Sequence, residues 1–110
     1  MSSYKVDRTR WATMTIFEQM GNIYSEVGRS MSAKKARNAE RCEQATIRAI
    51  ELFDATVEVL VAQHSPKARD VLRAKEQYLA AMQDDGVAEA DRISLDRYFL
   101  HFALVARAGR

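Results

Sequence analysis

The sequence predicts an all-α protein, an antiparallel up-down-up-down four-helix bundle. Three observations lead to that class. One proline and four glycines in 110 residues leave few points where a helix must stop. No segment sustains the period-2 alternation of a half-buried strand. Apolar residues recur instead at spacings of three and four, as one face of a helix requires.

The first long helix is expected over residues 16–33. Thr15-x-x-Glu18 is a capping box, in which hydroxyl and carboxylate satisfy backbone donors of the first turn. Phe17, Met20, Tyr24, Val27 and Met31 then form an apolar stripe, with Ile16 and Ile23 on the same side. Gly21, Ser25, Gly28 and Ser32 fall together on an adjoining strip. Each glycine costs up to about 1 kcal/mol against alanine in a helix, so a strip without bulky side chains implies a closely approaching neighbour. That neighbour is either another helix of the same chain or a second subunit.

A second helix follows over 36–63, starting at Ser32 or Asn38, with Cys42, Ala45, Ala49, Leu52, Phe53, Thr56, Val57 and Leu60 on its buried face. Its opposite face carries Glu40, Glu43, Glu51, Asp54 and Glu58, expected to point at water. His64-Ser65-Pro66 ends it, with Ser65 as N-cap and Pro66 as first residue of the next helix. The third helix, 66–84, packs through Ala68, Val71, Leu72, Tyr78, Leu79 and Met82 and stops at Asp84-Asp85-Gly86. Ser94 caps a fourth over 95–107, with Leu95, Tyr98, Phe99, Phe102, Val105 and Ala106 inward. Short connections favour antiparallel neighbours. Residues 1–12 read as a flexible or partly docked tail in which Trp11 pins the segment to the bundle or sits in an interface.

The length suits a single domain spanning 1–110. Hydrophobic residues make up 47% and charged residues 29%, which excludes a disordered chain. A net charge of +2 implies no global field for nucleic acid or anionic membrane, so any basic surface is local. No apolar run approaches the roughly 18 residues of a membrane span. The lone Cys42 cannot form an internal disulfide, and MSSYKVDRTR lacks a leader's apolar core, so a cytoplasmic setting is expected.

Candidate chemistry is sparse. Glu40, Glu43, Glu51 and Asp54 spell ExxE then ExxD, which resembles the magnesium-binding motifs of MazG-type nucleotide pyrophosphohydrolases. Here both motifs share one helix within about 80° of its circumference, whereas a magnesium ion needs oxygens from several directions. They read as a solvated face paired along the helix with Arg37, Arg41 and Arg48, and no metal or cofactor is expected. Arg97 and His101 resemble the Arg-x4–6-His motif of HEPN ribonucleases, one residue shorter. That resemblance would make His101 the base and Arg97 the phosphate-steadying group. Leu100 and Leu104 lie on the reverse side of the last helix from Phe99 and Phe102, so a partner is expected to cover them. Lys34, Lys35, Arg37 and Arg41 form a local basic patch that could meet phosphates.

EQMGNIYSEVGRSM, AIELFDATVE and SLDRYFLHFALVAR together resemble a family of small prokaryotic helical-bundle proteins. That family carries an EQ-x-GNI-x-SEV-x-R segment and a D-x-YF-x-x-FA ending, and has no assigned activity. The resemblance implies the fold and a prokaryotic origin. A looser likeness of architecture connects the chain to the four-helix bundle proteins encoded in ribosomal RNA intervening sequences and to accessory proteins of diversity-generating retroelements, which bind nucleic acid as basic oligomers. The sequence favours a non-enzymatic interaction or scaffold module that self-associates through Gly21, Ser25, Gly28, Leu100 and Leu104. The alternatives are nucleic-acid binding through Lys34, Lys35, Arg37 and Arg41, and a degenerate HEPN-like ribonuclease.

Overall fold

The computed structural model describes residues 4–83 and 96–100, and helix is the sole regular structure among them. The elements are α1 (Arg8–Ala12), α2 (Ile16–Lys35), α3 (Ala39–Ala62) and α4 (Lys67–Gln83), with a further helical stretch at 96–100. The expected Asp84-Asp85-Gly86 stop, Ser94 cap and residues beyond 100, Leu104 among them, lie outside the described residues. No described helix is long and apolar enough to cross a membrane.

Local chemistry sets the ends of α2 and α3. Thr15 Oγ1 accepts from Glu18 N at 3.1 Å while Glu18 Oε1 accepts from Thr15 N at 2.9 Å, which completes the capping box. Asn38, rather than Ser32, caps α3, its side-chain oxygen accepting from Arg41 N at 3.1 Å. Both helices end in the same way. Arg37 and His64 adopt left-handed backbone, with φ of 59° and 56°. The next amides reach back, Asn38 N to Ala33 O and Ser65 N to Leu60 O, each at 2.9 Å. These are Schellman-type ends built without glycine. Ser65 Oγ then accepts from Lys67 N at 3.3 Å and opens α4.

The long helices pack on one another, α2 on α3 and α3 on α4, around one core. Ile23, Phe53, Val71 and Tyr78 are fully buried in it. Tyr78 carries a polar group to the centre, where its hydroxyl and Ser30 Oγ share a hydrogen bond of 2.6 Å and Thr46 Oγ1 lies 3.5 Å away. Burial raises the Tyr78 pKa, and the bonds to Ser30 and Thr46 counter only part of that rise. Two apolar expectations are corrected at the surface. Leu72 is 42% exposed on the outer side of α4, and Tyr24 is 45% exposed at the edge of the α2 stripe.

The N-terminal segment docks. Asp7 caps the five-residue α1 by accepting from Thr9 N and Arg10 N. Trp11 is 5% exposed, and its Nε1 donates to Thr56 Oγ1 at 2.9 Å on α3. Gln19 Nε2 on α2 donates to Trp11 O at 2.8 Å, so α1 sits in the valley between α2 and α3. The indole thereby joins the same core as the long helices.

A non-glycine residue in left-handed backbone costs about 1–2 kcal/mol, partly offset by glycine's greater freedom in the unfolded chain. His64→Gly is therefore expected to stabilise the fold by about 0.5–1 kcal/mol, a rise in Tm of roughly 2–5 °C for a domain of this size. A calorimetric Tm equal to or below that of wild type would contradict this reading of the α3 terminus.

Candidate functional site

The charged face of α3 divides between two environments. Glu40 and Glu43 are exposed, as expected. Glu51 is buried, which corrects the expectation that the whole acidic face points at water. The N-terminal segment crosses over it. Arg8 Nη1 donates to Glu51 Oε2 at 2.5 Å and Val6 N donates to the same oxygen at 2.8 Å. Arg8 Nε also bonds Glu58, and Lys75 Nζ on α4 donates to Asp54 Oδ1 at 2.7 Å. The two acids of ExxD, Glu51 and Asp54, thus serve different partners. Among the described residues no three acid, histidine or cysteine side chains gather as a metal would require.

Beyond α1 the α2–α3 valley continues as an open groove of about 830 Å³. Its floor and rims carry small side chains, Gly28, Ser32, Ala33, Ala36 and Ala45, and its walls carry Arg29, Arg41 and Arg48. Glu26, buried at its edge, holds two of these cations. Its Oε1 accepts from Arg29 Nη1 at 2.5 Å and its Oε2 from Arg48 Nε at 3.0 Å. Arg48 therefore pairs across helices, and the expected pairing along α3 is corrected for this residue. A carboxylate gripped from both sides fixes the two guanidinium groups, each with further N–H donors that Glu26 does not use.

The basic patch expected from sequence is divided. Arg41 lines the groove, and Lys35 and Arg37 are exposed beside it at the α2–α3 turn. Lys34 turns the other way, where its Nζ donates to Met82 O at 2.6 Å and caps the carbonyl end of α4. Arg29, Arg48 and Glu26 were not anticipated. The Glu26/Arg29 spacing of three was a legible signal of a helical pair, while nothing local links either to Arg48, 22 residues from Glu26.

Gly21, Ser25 and Gly28 are exposed on α2, with Ser25 and Gly28 at the edge of the same groove. A Cβ at Gly21 or Gly28 would meet nothing within 4 Å, so no described helix of the chain packs on the strip. Beside Gly21, Phe17, Met20, Tyr24, Asp96, Phe99 and Leu100 enclose a smaller groove of about 260 Å³. There Tyr24 stacks on Phe99 with ring centroids 4.9 Å apart and donates to Asp96 Oδ1 at 3.2 Å. Leu100 is 60% exposed at its edge. Arg97 is exposed on the same short helical stretch, and His101 lies outside the described residues. The chain matches no protein-family model, and no curated protein or solved structure matches it either.

The Arg8 guanidinium holds the Glu51 carboxyl below its ordinary value of 4.5; burial opposes this and the Val6 amide adds to it. A carboxylate with a lowered folded-state pKa contributes stability that is present above 4.5 and lost as pH falls through its folded value. Glu51→Gln should therefore be less stable than wild type at neutral pH in urea titrations followed by Trp11 fluorescence. The gap should narrow as pH falls below the ordinary carboxylate range. A gap independent of pH would contradict this account of the clasp.

Proposed function

We propose that this chain is a non-enzymatic interaction module, an up-down four-helix bundle of the cytoplasm that self-associates through the outer face of α2. The observation that carries the reading is the open strip of Gly21, Ser25, Gly28 and Ser32. These positions repeat at spacings of four, three and four over three turns, a coiled-coil spacing occupied by small residues. Two such strips facing one another let helix backbones approach closely, gaining dispersion contacts along their length. Among the described residues no helix of the same chain fills this role, which favours a second copy as the occupant.

Two further observations support the reading. The neighbouring surface is apolar, with Tyr24 and Leu100 both well exposed beside Gly21. Arg29, which follows Gly28 in sequence, is paired with Glu26, so its charge is partly offset where two copies would meet. Small bundles gain core by association, and a two-fold contact uses the same patch twice.

The test is solution mass by light scattering over a range of protein concentration. Wild type should shift from monomer to dimer as concentration rises. Gly28→Leu, which places a bulky side chain on an exposed position, should remain monomeric while keeping its helical circular dichroism. A wild type that stays monomeric at the highest concentration, or a Gly28→Leu variant that dimerises equally well, would overturn the proposal.

A further inference from the structure

We infer that the arginine-lined groove between α2 and α3 binds the phosphate backbone of a nucleic-acid strand without reading its bases. The inference goes beyond self-association and does not rest on it; the strip residues Ser25, Gly28 and Ser32 line the same groove as Arg41 and Arg48, so a strand and a second copy compete for it.

Charge is sorted around α3. Arg41 and Arg48 line the groove, whereas Glu40 and Glu43, close to Arg41 in sequence, are exposed and do not line it. A chain of net charge +2 thus concentrates cations in one concave place, where the field on an anion is strongest. The guanidinium groups of Arg29 and Arg48 are braced by the buried Glu26 and retain donors for a ligand. Pre-set donors of this kind match phosphate oxygens and lose little freedom on binding.

The spread of the cations selects a polyanion over a single phosphate. Helical rise places Arg41 about 10 Å from Arg48 along α3, and Arg37 stands beyond Arg41 at the α2–α3 turn, beside the groove. One phosphate cannot touch all three, while a strand passing along the groove meets them in succession. The lining residues include no aromatic side chain on which a base could stack, so the contacts are to the backbone and independent of sequence.

The test is fluorescence anisotropy of the full chain with a labelled deoxythymidine oligomer, titrated over a range of salt. Binding should weaken linearly in log K against log salt, and Arg41→Gln and Arg37→Gln should each lower the slope by roughly 0.7–1. Arg10→Gln, an exposed arginine of α1 outside the groove, should leave the slope unchanged. Arg41 in the groove and Arg37 beside it are both exposed, so their variants should keep wild-type circular dichroism and solution mass. Absence of binding at low salt, or an equal loss of slope in Arg10→Gln, overturns the inference, the first result removing the site and the second reducing it to general surface charge.

Discussion

Ser30 on α2, Thr46 on α3 and Tyr78 on α4 bring their hydroxyls together inside the core. Ser30 Oγ lies 2.8 Å from Val27 O and Thr46 Oγ1 lies 2.7 Å from Cys42 O, so each hydroxyl can return its proton to its own helix. Tyr78, with a single proton, is then left as the donor to Ser30, joining α4 to α2 with Thr46 of α3 beside the pair. Apolar side chains can slide or rotate past one another at modest cost, but a buried hydroxyl that loses its partner costs about 1–3 kcal/mol. The contact therefore holds the rotation of α2 and α4 relative to one another where both meet α3.

The outer surfaces follow from that rotation. With Ser30, Ile23 and Val27 turned inward, the helical period carries Gly21, Ser25, Gly28 and Ser32 to the opposite side of α2. The same setting lays Glu26 against α3 within reach of Arg48 and leaves the valley open beyond that pair. At its other end the valley is closed by α1, held by the Trp11–Thr56 bond and by the clasp of Arg8 and Val6 on Glu51. One valley thus has a filled half, where an acid is covered, and an open half, where arginines are presented.

Much of this was legible in the sequence, and the division has a physical basis. The capping box at Thr15 and Glu18, the Asn38 cap and the 3-4 spacing of α2 are local signals, carried by residues within a turn or two of one another. The helical class follows from them. What the sequence concealed depends on residues far apart along the chain. Glu51 looks like any other acid of the α3 face until Arg8, 43 residues away, is folded over it. Trp11 promised an anchor, but α1 itself has five residues and one polar cap, too short for periodicity to register. The glycines announced close approach without telling which side of α2 the rest of the chain would occupy, and Lys34 looked like its basic neighbours until α4 offered it carbonyl oxygens.

The central claim is that the buried hydroxyl contact sets the arrangement of the long helices, and a double-mutant cycle between Tyr78→Phe and Ser30→Ala tests it most directly. Each change removes a hydroxyl with little change of shape, so the cycle isolates the bond between them. The account predicts that the two substitutions are coupled by about 1 kcal/mol in urea unfolding, the double variant losing less than the sum of the singles. Strict additivity would contradict it, and would assign the register of the helices to apolar packing alone.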